Sequence, residues 1–122
     1  MLVEVERGRT DLDGLAPAGE DLSMAVVTAA ELLLGVELSG SRHRAPRERF
    51  VGWLLERLVV QLYDLDVARV HASLMAHGRR TGRPRGAHDL IVAATAIAVG
   101  RTLVTIDPGG FEDLPGLVVR SP

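Results

Sequence analysis

Three carboxylates in this chain occupy places where acids can work together: Glu31, Asp89 and Asp107. Glu31 follows the short β-branched run "SMAVVT" (23–28), Asp89 opens the alanine-rich run "HDLIVAATAIAV" (88–99), and Asp107 closes "TLVTI" (102–106). Each has an ordinary reading. "TAAE" reads as a capping box with Thr28 as N-cap and Glu31 reaching back. Asp89 offsets a helix dipole by about 0.3–1 kcal/mol. Asp107, before Pro-Gly-Gly, is a turn residue. Gathered in one place, however, three carboxylates repel one another unless a cation sits between them. Oxygen-only ligands of that kind favour Mg²⁺ or Mn²⁺.

Other polar residues carry weaker signals. His88, beside Asp89, reads first as a partly exposed neighbour and second as a proton shuttle. His43, His71 and His77 show no metal spacing, and Asp11 and Asp13 in "TDLDG" read as loop acids. The stretch "GRRTGRPRG" (78–86) sets Arg79, Arg80, Arg83 and Arg85 just before Asp89. A solvated loop is the plain reading. At the rim of an acidic edge the same arginines suit contact with phosphate.

The elements that must position these residues follow from pattern. Strands are expected over 23–28, 59–66, 102–106 and 116–120. Helices are expected over 28–38, 46–58, 67–80 and 88–99. Phe50, Trp53, Leu54 and Leu58 share one helical face, and Pro46 suits a first turn. Gly78 and Gly100 mark helix ends, and "DPGG" marks a turn. Such alternation is the signature of a parallel sheet with helices on both faces. It also fixes directions. A helix that follows a parallel strand, or leads into the next one, starts at the strands' carboxyl edge, where ligands of open α/β sheets bind. Glu31, Asp89 and Asp107 therefore all project toward that edge. The start "MLVEVERG" is helical in character, so the chain is expected to begin on a helix with no strand before it.

Composition narrows the chemistry. At 122 residues, 47% of them hydrophobic, the chain is expected to form one domain, and with only 3% aromatics its core is built from Leu, Val and Ala. All fourteen basic residues are arginine, which excludes lysine nucleophiles and Schiff bases. The absence of cysteine excludes disulfides and thiolate metal sites and fits a cytoplasmic location. A net charge of −2 means that nucleic-acid contact needs a local basic patch. Glu4 and Glu6 interrupt the first apolar stretch, so it is no signal peptide, and the run 90–99 is too short to span a membrane.

The stretches "VVTAAELLLGVELS", "GRRTGRPRGAHDLIVAATAIAVGRTLVTID" and "GFEDLPGLVV" resemble the PIN-domain ribonucleases, specifically the VapC-type toxins of toxin–antitoxin pairs. The resemblance runs through residues 1 to 120 and implies a three-layer α/β/α fold with a parallel sheet. It further implies RNA cleavage with Mg²⁺ or Mn²⁺, a homodimer, and a cognate antitoxin that blocks the site. Glu31, Asp89 and Asp107 match its acidic residues, and Thr105 stands beside them. Two departures follow. The family opens on a central strand ending in an Asp-Thr-Ser motif, whereas Met1-Leu2-Val3 aligns with the helix after it. Gly110 stands where the family often has an acid. The expectation is thus a single domain over 1–122, truncated at its amino end, with the first central strand and one metal-ligand aspartate missing. The rival reading is a catalytically impaired module that binds the antitoxin and hydrolyses nothing. A phospho-acceptor receiver needs a lysine that is absent, and a haloacid-type phosphatase needs an Asp-x-Asp that is absent.

Overall fold

In a computed structural model, which describes residues 1–4 and 22–122, five short strands form one all-parallel sheet. In chain order the elements are β1 (Leu2–Val3), β2 (Ser23–Ala25), α1 (Val26–Glu37), α2 (Ser41–Arg57), β3 (Val59–Gln61), α3 (Leu65–Thr81), α4 (Ala87–Ala98), β4 (Leu103–Val104), a 3₁₀ turn (Pro108–Phe111) and β5 (Val119–Arg120). The strand order across the sheet is β3-β2-β1-β4-β5, so β1 is central.

That central strand corrects the expectation of a missing one. Leu2 and Val3 pair in register with Leu103 and Val104, and Leu2 also pairs with Ser23. Leu2 N–H donates to Thr102 O at 2.9 Å, Glu4 N–H to Val104 O at 3.0 Å, and Ser23 N–H to Met1 O at 2.8 Å. The flanking strands were legible as neighbours of a central one, and the chain's own "LV" fills the gap between them. The misreading has a physical cause. A strand of two residues has no period to display, and a short apolar run buried on both faces looks like a piece of helix. Glu6, Asp11 and Asp13 lie outside the described residues.

Two cores flank the sheet, because successive strand side chains point to opposite faces. Leu2, Ala25 and Leu103 face α3 and α4, where Val67, Leu74, Leu90, Val92, Ala93, Phe111 and Leu114 complete the cluster. Val3, Met24 and Val104 face the other way, against Ala29, Leu54 and Leu58. The layering is therefore α/β/α. Alanines let α4 lie close to the sheet: Ala93, Ala94 and Ala96 are fully buried.

Most boundaries move by a few residues. β2 ends at Ala25 and α1 begins at Val26, so "VVT" is helix rather than strand. β3 covers only 59–61 of the expected 59–66. Pro46 lies inside α2, because the polar "SRHRA" already forms its first turn. α3 runs past Gly78 to Thr81 and closes at Gly82, whose φ of +68° is the left-handed cap that glycine favours. Gly78 is instead a close-approach residue: a Cβ there would stand 3.3 Å from Arg83 O, and its carbonyl accepts the Arg83 N–H at 3.0 Å.

Candidate active site

The carboxyl edge of the sheet holds an acid that sequence reasoning missed. Glu4 directly follows β1, the central strand. Thr105, which follows β4 and is 1% exposed, donates its Oγ1–H to Glu4 Oε2 at 2.8 Å. Thr105 Oγ1 in turn accepts the Asp107 N–H at 3.1 Å. One buried hydroxyl thus joins the ends of two neighbouring strands and their acids. A faint signal was present in the sequence, since the apolar pair of "LVE" (2–4) is the same as that of "LVTID" (103–107), and an acid comes after each, at once in the first and three residues on in the second. The carboxylate that follows the central strand is thus that of Glu4.

Glu31 and Asp89 arrive from two helices. Glu31 sits one turn into α1, not in its first turn, and its side chain is 57% exposed. The expected capping box is not formed. Ala25 occupies the N-cap without a side-chain bond, and the buried Thr28 Oγ1 has no hydrogen-bond partner. Asp89 is in the first turn of α4 and half-buried. His88 Nδ1 lies 3.9 Å from Glu31 Oε1, too long for a hydrogen bond, yet close enough to put the start of α4 beside α1. Asp107 precedes the 3₁₀ turn, exposed, with its side chain against Gly110.

The structure therefore forms two polar groupings on this edge, the trio Glu4–Thr105–Asp107 and the pair Glu31–His88, with Asp89 next in sequence to the second. Among the described residues no group of three or more His, Asp or Glu side chains stands together as a ready-made metal site. By donor type the set fits a hard cation, because every acid offers oxygen and no cysteine is present.

The arginines divide. Arg79 and Arg80 are exposed in the last turn of α3. Arg83 is ion-paired with Asp113, and Arg85 donates to Gly110 O at 3.0 Å and to Glu112 O at 2.6 Å. Two of the four expected phosphate contacts are thus engaged within the chain. A separate apolar cleft of about 230 Å³ lies between α1 and α2, lined by Leu32, Val36, Pro46, Phe50 and Val51, with Glu31 at its rim. Among the described residues no helix is long and apolar enough to cross a membrane.

Comparison with known proteins places this geometry in context. The PIN domain family profile matches residues 3–117, so it includes Val3 of the central strand and runs to the last connection of the sheet. The chain is 35% identical over 107 residues to the VapC ribonuclease Y4jK of Sinorhizobium fredii, covering 84% of this chain and 76% of that one. It is 31% identical over 101 residues to the tRNA(fMet)-specific endonuclease VapC of Salmonella typhimurium, covering 81% and 74%. Among solved structures, the DNA-bound VapBC of Salmonella typhimurium superposes with a TM-score of 0.77 at 28% identity, covering 82% of this chain and 74% of that one.

Proposed function

This chain belongs to the PIN-domain family, among the VapC-type toxins of toxin–antitoxin systems, and from that premise we propose that it is a metal-dependent endoribonuclease hydrolysing RNA phosphodiester bonds. The observation that supports the proposal is the edge itself: Glu4 and Asp107 come after β1 and β4 at the sheet's carboxyl side, Asp89 is in the first turn of α4, and Glu31 is one turn into α1. In this reading they hold Mg²⁺ or Mn²⁺. When bound, such a cation would supply Lewis-acid activation of water and charge compensation at the scissile phosphate.

The chain's own residues do the rest. Thr105 orients Glu4 through its donated hydrogen bond and ties it to the Asp107 backbone. Asp89 from α4 and Glu31 from α1 would add their carboxylates to this pair. Arg79 and Arg80 attract the RNA backbone by charge without reading bases. Arg83 and Arg85 shape the rim first, since both already have partners in the chain.

Partners follow the same reading. A cognate antitoxin segment covers the acidic edge, and the apolar cleft beside Glu31 supports its docking. A homodimer is supported by Leu62 and Leu65, which are 68% and 66% exposed beside edge strand β3. The test is cleavage of RNA by the 122-residue chain with Mn²⁺ or Mg²⁺, with EDTA, and with Asp89→Asn. Cleavage that needs the metal and disappears in the variant is expected. Metal-independent cleavage, or an active Asp89→Asn, would refute the proposal. A folded chain that binds an antitoxin peptide but never cuts would favour the impaired-module reading.

A further inference from the structure

Asp107 rests on Gly110. Gly110 N–H donates to Asp107 O at 3.2 Å, and a Cβ on Gly110 would stand 2.9 Å from Asp107 Oδ2 and 3.5 Å from its Cγ. The carboxylate therefore lies directly over the Gly110 backbone. Whatever fixes that backbone fixes the floor beneath Asp107. With Asp107 in this place, a side chain at 110 would push its carboxylate aside.

Arg85 does the fixing. Its Nη1 donates to Gly110 O and its Nη2 to Glu112 O. A planar guanidinium suits two acceptors side by side, and a lysine ammonium cannot reproduce that fork. Arg85 also stands immediately before Gly86, the N-cap of α4, whose first turn carries Asp89. One side chain thus ties the start of α4 to the turn that carries Asp107. The Arg83–Asp113 ion pair is an outer, more exposed tie between the same two segments.

We propose that Arg85 is a positioning residue: by clamping the Gly110 and Glu112 carbonyls it sets where the Asp107 carboxylate stands relative to Asp89. The inference rests on the reading that Asp107 belongs to the metal site. It differs from that reading in assigning Arg85 to the protein's own backbone and not to the RNA.

Two measurements on the full chain test it. The first is the ¹³C carboxyl resonance of Asp107 in metal-free protein, with Glu31 as internal reference. It should move in Arg85→Ala and in Gly110→Ala while Glu31 stays in place. The second is Mn²⁺ affinity by calorimetry, expected to fall roughly tenfold or more in Arg85→Ala, as is usual when a group that orients a metal ligand is removed. Arg85→Lys should fall between. With RNA, kcat should drop while KM holds. An unmoved Asp107 resonance in both Arg85→Ala and Gly110→Ala overturns the proposal. So does a raised KM and flattened salt dependence with Mn²⁺ affinity intact, which would make Arg85 a phosphate contact. Should Arg85→Ala fail to fold, Arg85→Lys and Gly110→Ala carry the same test. Asp107→Asn separates the two levels. If it leaves Mn²⁺ affinity unchanged, the site reading fails, and the resonance shifts still decide the clamp.

Discussion

Removing the Thr105 hydroxyl is the sharpest test of the central edge. Thr105→Val keeps the volume and the β-branch, so no cavity opens, but two hydrogen bonds go: one donated to the Glu4 carboxylate at 2.8 Å, one accepted from Asp107 N–H at 3.1 Å. A bond to a charged group contributes about 1.5–3 kcal/mol and a neutral one about 0.5–1.5 kcal/mol. Glu4 is half-buried and Asp107 exposed, so water takes over part of both roles. The net loss is then roughly 1–3 kcal/mol, a drop in Tm of several degrees for a domain of this size. Thr105→Ser should recover most of it. Urea unfolding of Thr105→Val, Glu4→Ala and the double variant gives the coupling between the two residues, expected at about 1 kcal/mol or more. Additivity within about 0.3–0.5 kcal/mol would mean that Glu4 and Thr105 do not touch. The assignment of Glu4 to the carboxyl end of the central strand would then be wrong.

Three further outcomes are expected. Leu2→Ala empties a fully buried place in the central strand and should cost about 2–5 kcal/mol in urea unfolding, whereas an unchanged midpoint would remove Leu2 from the core. Gly82→Ala places a side chain at a φ of +68° and should destabilise by about 1–2 kcal/mol, read as a lower Tm with the α3–α4 connection intact. Replacing Arg79 and Arg80 together by Ala should reduce the slope of log affinity against log salt for single-stranded RNA by about 1.4, with the cleavage pattern unchanged; a changed pattern would show base reading.

The sequence revealed the parts of this molecule whose signals are local. Alternation of "SMAVV", "TLVTI" and "GLVVR" with amphipathic runs was enough for a parallel sheet between helices. Direction alone set the expectation that Glu31, Asp89 and Asp107 face one edge, while among the described residues no three such acids stand together. β1 was not legible, because two residues carry no period and their strand character comes from β2 and β4 on either side. With β1 went Glu4, the acid that Thr105 holds. The division of the arginines into exposed and internally bonded ones was hidden for a related reason. Arg79 and Arg80 show their exposure through helical phase, but the partners of Arg85 lie 25 and 27 residues away and no spacing rule points to them. Thr28 was misread in the opposite sense: its sequence context fits a capping box, yet the helix starts two residues earlier and leaves it buried.

The pairing of β1 with β4 also bears on when the edge comes into being. Thr105 and Glu4 are 101 residues apart, and Leu2 waits for Leu103. A translating ribosome adds about 5–20 residues per second, so on the order of 5–20 s separates the two ends of this ladder. Contacts of such long range close late and set the pace of folding. A nascent chain that has made β2, α1 and β3 still has its central strand open on one side and Glu4 without Thr105. Throughout that interval a partner that takes hold of α1 meets a chain whose acidic edge does not yet exist.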